Sequence, residues 1–170
     1  MIELLILFFL DKNISTMYGL QKKIKTEFST LLLPSIGTIK PALKRLEVSG
    51  FLTTQKVMSK GGRPSVYYAI SQPGRMALKE LMLKPFTENP VQFLTNARIR
   101  LYCSNVLSQS EILELIDMLK QRTEGLVIET SKFVGKDDEN FYHRLVYNNL
   151  NCEYKNFLQM LEGIERACKH

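Results

Sequence analysis

Residues 35–70 constrain the fold of this chain more than any other stretch, and they read SIGTIKPALKRLEVSGFLTTQKVMSKGGRPSVYYAI. Ile39, Leu43 and Leu46 recur at i, i+4 and i+7, which predicts a short helix with one buried face. Lys40, Lys44 and Arg45 lie off that face. Either Ser35 or Thr38 serves as its cap. If Thr38 caps, Pro41 falls in the first turn, where a missing N–H costs little; if Ser35 caps, Pro41 sits deeper and should bend the helix. Gly50 stops it. Two strand-like runs follow at 51–57 and 65–70, the second rich in good strand formers (Val66, Tyr67, Tyr68, Ile70). Between them lies the basic loop Ser59-Lys60-Gly61-Gly62-Arg63-Pro64.

A basic helix followed by a hairpin with a positive tip is the pattern of a winged helix-turn-helix. Such a module lays the helix in a DNA major groove and the hairpin tip on the adjoining backbone. Gly61-Gly62 lets the backbone come close to a phosphate, and Arg63 is placed to grip a phosphate or enter a minor groove. The flanking segments suit that fold. The apolar start MIELLILFFL predicts a buried first helix over 2–10. Ser15 or Thr16 caps a second helix whose Tyr18, Leu20, Ile24 and Phe28 share one face, with Gln21, Lys22, Lys23 and Lys25 on the other. Ser71 caps a fourth helix to about Leu83, with Pro73 in its first turn. Lys84-Pro85 and Asn89-Pro90 bracket a connector. The predicted domains are therefore 1–86, a DNA-binding winged helix-turn-helix, and 87–170.

Charge divides along the same line. Residues 1–85 hold 13 Lys and Arg against 5 Asp and Glu, a net of +8, while residues 86–170 hold 10 against 12, a net of −2. A polyanion partner is expected for the first half alone.

The second half reads as helical throughout. Residues 91–106 form one amphipathic segment, and Ser110 is the expected cap of the next helix. There Ile112, Leu119, Leu126 and Phe133 recur every seven residues, with Ile116, Thr123 and Thr130 between them, a seam like that of a coiled coil with a polar middle. Gly135-Lys136-Asp137-Asp138 breaks it. A last helix over about 138–168 carries the stripe Tyr147, Leu150, Tyr154, Phe157, Leu161, Ile164 and Cys168. Antiparallel packing within the chain would cover both stripes. Packing against a second subunit is the favoured alternative, because residues 91–170 alone make a thin helical layer. The expected dimerisation residues are Ile112, Ile116, Leu119, Leu126, Tyr154, Phe157, Leu161 and Ile164. The expected fold is thus mainly α with a small β-hairpin: an N-terminal winged helix-turn-helix and a C-terminal helical dimerisation domain.

Several function classes are disfavoured. Cys103, Cys152 and Cys168 are odd in number and far apart, with no Cys or His spacing suited to zinc. His143 and His170 are isolated. No nucleophile elbow, phosphate-cradling glycine loop or HExxH motif is present. No enzyme activity, metal or cofactor is expected. The start MIELLILFFL lacks a basic leader and a cleavage site and is too short to span a bilayer, so a cytoplasmic chain with no membrane partner is expected.

These residues resemble the PadR family of transcriptional regulators. The family's second helix commonly reads GYELxKRI; here Tyr18, Leu20, Lys22 and Ile24 fit, while Met17 and Gly19 depart. The recognition-helix signature is similar to SPGTLYPALKRLEEEGLI, and the chain has SIGTIKPALKRLEVSGFL at residues 35–52. Its wing and following helix, GGRPSVYYAISQPGRMAL, resemble GGRPRKYYxLTExGRxxL. Lys40 stands where the family usually has Tyr; an ammonium there can still reach a phosphate. The resemblance implies a homodimer on a palindromic operator in double-stranded DNA, acting as a repressor released by a small-molecule effector. Lys40, Lys44 and Arg45 would work at the groove, Ser35 and Thr38 at the helix start, Lys60 and Arg63 in the wing, and Tyr18 and Lys22 on phosphates. The alternative is a protein-interaction module that keeps the winged-helix scaffold and reads no DNA.

Overall fold

The structure, a computed structural model, describes residues 1–58, 64–134 and 140–169. It falls into two compact units, residues 1–86 with 91–106 and residues 87–90 with 107–170. The fold is mainly helical with one small antiparallel sheet, as the sequence predicts.

The first unit is built around α1 (Ile2–Lys12), in which seven consecutive residues, Leu4 to Leu10, are buried. A helix apolar on every side must be surrounded. Each such side chain contributes about 1.5–3 kcal/mol on burial. A two-residue strand β1 (Ser15–Thr16) leads into α2 (Met17–Phe28), capped by Thr16, whose side chain accepts from the Gly19 N–H. Leu20, Ile24 and Phe28 form the buried face of α2 as their spacing predicts, but Tyr18, expected on the same face, lies in the first turn of the helix and is exposed.

The next helix, α3 (Ile36–Val48), buries Ile39, Ala42, Leu43 and Leu46. Ser35 is its cap, so Pro41 lies inside the helix. Its end is a Schellman motif: Phe51 N–H donates to the Leu46 carbonyl and Gly50 N–H to that of Glu47. Gly50 adopts φ +73°, a conformation that glycine reaches without penalty.

The hairpin strands β2 (Leu52–Met58) and β3 (Pro64–Ile70) pair antiparallel from Leu52↔Ile70 to Met58↔Pro64. On its other edge β3 pairs with β1, giving the order β1-β3-β2. Ser71 then caps α4 (Gln72–Leu83) and donates its hydroxyl to the Gly50 carbonyl at 2.7 Å, stitching α4 to the end of α3. A Cβ on Gly74 would lie 2.2 Å from the Phe51 carbonyl oxygen, so this approach of α4 needs glycine.

The following helix, α5 (Pro90–Tyr102), packs with the first unit from Val91 onward, where the prolines alone suggest a boundary at 86. Phe93, Ala97, Ile99 and Cys103 are fully buried, and burial pushes the Cys103 thiol up to about 12. Tyr102 packs edge-on against Phe8 and Phe28 and donates its hydroxyl to Glu27. Arg100 is 5% exposed. It donates to the carbonyls of Met82 (3.1 Å) and Lys84, and its guanidinium lies 4.0 Å from the centre of the Phe86 ring.

The second unit is an antiparallel pair, α6 (Gln109–Ser131) and α7 (Phe141–Lys169). Gln109 meets the Cys168 carbonyl at one end, and Phe133 stacks on Tyr147 at the other. The cap of α6 is Ser108, not Ser110. Ser108 and Glu111 form a reciprocal capping box, which satisfies two backbone N–H groups where Ser110 would satisfy one.

The heptad seam is closed within the chain: Ile116, Leu119 and Leu126 of α6 and Tyr154, Phe157 and Leu161 of α7 are all at most 5% exposed. These six expected dimerisation residues are therefore occupied by the intramolecular pairing, and only Ile112 and Ile164 stay half-buried. The polar middle is real. Asn151 donates its amide to the Val127 carbonyl and to the hydroxyls of Thr130 and Ser131. Lys120 and Lys169 both donate to Glu165, holding its carboxyl down at about 2. The predicted break at residues 135–138 lies outside the described residues. Among the described residues, no helix is long and apolar enough to cross a membrane.

Candidate nucleic-acid interface

Burial of Ile39, Ala42, Leu43 and Leu46 turns the opposite face of α3 outward, where Gly37, Lys40, Pro41 and Lys44 are exposed. Small Gly37 and ring-closed Pro41 flank the two lysines, so no bulky side chain keeps a groove floor away from this stripe. Ser35 and Thr38 stand at the start of α3 and serve its cap. Ser35 Oγ accepts from the Thr38 N–H at 3.2 Å and lies 3.1 Å from the Thr38 hydroxyl.

The three cations of α3 differ in their surroundings. Lys40 is exposed and makes no ion pair among the described residues. Lys44 lies 3.4 Å from Glu47, one turn on. Arg45, expected at the groove, donates its Nε to Glu3 of α1 at 2.6 Å. Its charge is thus turned to the scaffold, tying α3 to α1. Both pairs are largely solvent-exposed, and such pairs contribute about 0–1 kcal/mol, so a phosphate can compete for the cation.

Tyr18, in the first turn of α2, is 69% exposed, and Lys22 is exposed one turn further on the same helix. A hollow of about 250 Å³ runs from Tyr18 to Ser65, Val66 and Tyr68 of β3. The start of α2 and the base of the hairpin therefore share a surface. Lys60 and Arg63, with Gly61 and Gly62, lie outside the described residues.

Three groups at this surface escape a reading of charge and period. Lys56 is an exposed cation on β2, visible in the sequence but hidden among strand residues. Tyr68 is half-buried beside the start of α2. Burial and then the neighbouring Glu47 raise its phenol above the ordinary value, so it stays a neutral donor. Glu47 itself accepts from Lys44 and, at 3.4 Å, from the Thr54 hydroxyl of β2. Among the described residues, no three His, Cys, Asp or Glu side chains come together to hold a metal.

Residues 6–80 match the model of the transcriptional regulator PadR-like family. No curated protein matches the chain significantly. Among solved structures, the chain is similar to Bacillus subtilis PadR in complex with operator DNA, at 19% identity over 98% of each chain with a TM-score of 0.48. It is similar to smu.1604c from Streptococcus mutans UA159, at 22% identity over 95% of this chain and 96% of that one, TM-score 0.45. Over 46% of this chain and 79% of the other, it is similar to a PadR family transcription regulator from hypervirulent Clostridium difficile R20291, at 28% identity and TM-score 0.40. The assignment rests on the family model. The helix-turn-helix, the hairpin and most of α4 fall inside the matched residues, and it is over residues 6–80 that this chain matches the PadR-like family of transcriptional regulators.

Proposed function

We propose that this chain is a cytoplasmic, sequence-specific DNA-binding repressor that works as a homodimer and is released by a small effector. The observation that carries the reading is the α3 stripe, where exposed Lys40 and Lys44 stand with Gly37 and Pro41 on the face opposite the core. In such folds the recognition helix enters the major groove and lysines on the preceding helix hold the backbone. Lys40 and Lys44 then work in the groove, and Tyr18, Lys22 and Lys56 grip phosphates. Lys60 and Arg63 extend this grip at the hairpin tip. Arg45 supports the pose of α3 through Glu3.

The second unit supplies the dimer. With its seam already closed inside the chain, the free apolar surface is the outer face of the first turns of α7. Phe141, Tyr142, Leu145 and Val146 are each more than half exposed there. A two-helix layer with such a face is suited to a third and fourth helix from a second copy. Two wings on one dimer match two half-sites of a palindrome.

The test is a gel shift with the DNA immediately upstream of the protein's own gene, across a salt series and against random competitor. A shift that survives competitor supports the reading and supplies an operator for effector screening. A shift that random DNA removes equally well overturns sequence-specific binding and favours the interaction-module alternative.

A further inference from the structure

The recognition helix carries an anion where it meets the hairpin. Glu47 lies in the last turn of α3 with its side chain about two-fifths exposed, and its two oxygens have different partners. One accepts from Lys44 Nζ at 3.4 Å, and the other from the Thr54 hydroxyl of β2 at 3.4 Å. The carboxylate is thereby held in the elbow between the helix and the wing, the two elements assigned to DNA. Tyr68 senses the same charge, since Glu47 helps to raise its phenol. Elsewhere in α3, Lys40 has no counter-ion among the described residues, and Arg45 is held by Glu3 away from the groove stripe. Glu47 is thus the anion of α3 set against a groove-facing lysine.

We propose that Glu47 is a specificity-determining residue: its carboxylate holds Lys44 back from DNA in general and releases it only where the base sequence lets Lys44 make a better contact. The inference rests on the DNA-reading function proposed above. Two effects act together. A DNA phosphate entering the elbow meets a like charge in a partly desolvated interface, and such juxtapositions disfavour wrong partners. Lys44 must also leave Glu47 before it can contribute to binding. A phosphate contact replaces one anion by another and gains less than it would for a lysine with no partner. A bidentate contact to guanine O6 and N7 is worth about 1–3 kcal/mol of discrimination and more than offsets the exchange. Sequence-blind binding is therefore weakened more than operator binding. Glu47 touches neither base nor backbone in this account; it acts through Lys44.

The experiment compares wild type, Glu47→Gln and Glu80→Gln, each as the full chain. Two DNA probes are used: a mixed-sequence duplex, and the duplex that wild type enriches from a random pool. Glu80→Gln makes the same change in net charge at an exposed position of α4. Expected for Glu47→Gln is about tenfold tighter binding to mixed-sequence DNA at low salt, a salt slope steeper by about one, and a smaller gain on the enriched duplex. The ratio of the two affinities falls. An unchanged unfolding midpoint shows that the tighter binding does not come from a damaged fold. Glu47→Gln matching Glu80→Gln on both probes overturns the proposal, as does weaker binding to both, which would make Glu47 a buttress between helix and hairpin. Wild type that enriches no duplex and binds no DNA sinks the underlying function instead.

Discussion

The two strongly patterned helices at the ends of this chain are buried in opposite ways. α1 is 11 residues long and hides seven in a row; α7 is 29 residues long and hides only Asn151, Tyr154, Phe157 and Leu161. α1 is the axis of the first unit, contacted by α2, α3, β3 and α4. Among the described residues α7 packs chiefly on α6, and it leaves apolar side chains of its first turns exposed. The first unit thus completes its core from its own residues. The second closes its α6–α7 seam and leaves Phe141, Tyr142, Leu145 and Val146 of α7 exposed, so its stability is expected to depend on what covers them.

The contrast can be broken most forcefully at Phe8. Its ring is fully buried and packs edge-on against Phe9 and Tyr102. Phe8→Ala should cost about 3–5 kcal/mol, read by chemical denaturation. A loss under about 1 kcal/mol would mean that α1 is not the axis of its unit. Next comes the polar middle of the α6–α7 pair. Asn151→Ala removes an amide that serves three acceptors, and should cost about 1–3 kcal/mol in the same measurement. No change would show that Thr130 and Ser131 are satisfied without it.

A third substitution sharpens the comparison. Leu145→Asp on the exposed face of α7 should change the stability of an isolated chain by less than about 0.5 kcal/mol. It should nevertheless convert a dimer to monomer in analytical ultracentrifugation and remove the concentration dependence of Tm. A variant that remains dimeric would move the interface off this face.

The smallest effect concerns acid. Glu165 has its carboxyl lowered to about 2 by hydrogen bonds from Lys120 and Lys169. A depressed carboxyl contributes stability that is fully present above its unfolded value near 4.5 and is lost as pH falls toward 2. Glu165→Gln should therefore flatten the acid loss of helical signal between those values. An unchanged acid profile would show that Lys120 and Lys169 do not hold Glu165 in solution, and that the Lys120–Glu165 link between the two helices is absent there.

Much of the first unit was legible because its signals are local. Caps at Thr16 and Ser71, the stop at Gly50 and the apolar spacing of α2 and α3 each depend on residues a few positions apart. The misses concern what period and composition cannot carry. β1 has only two residues, and its strand character comes from pairing with Tyr67 and Tyr68, some fifty positions later. Arg45 reads as one more cation of a basic helix until Glu3 is brought to it from 42 residues away. The heptad of α6 reveals a partner but not whose helix it is, because α7 of the same chain and a second subunit ask for the same spacing. Ser108 was recoverable, since Glu111 stands three residues on, as a capping box requires. For α5, the prolines mark where the helix starts but not that Phe93, Ala97 and Ile99 are absorbed by the first unit.

The hairpin has one more consequence. Of the seven residues of β2, only Leu52 is buried, and its alignment with β3 is held by backbone bonds that do not depend on side-chain identity. Apart from Thr54, which bonds Glu47, the positions from Thr53 to Met58 are therefore nearly silent for folding. A mutation there can alter how the ribbon meets its target while leaving the core intact. On the proposed function, this unit can explore new DNA preferences along β2 at little risk of unfolding, a freedom denied to α3, where every buried residue on one side limits what the other can become.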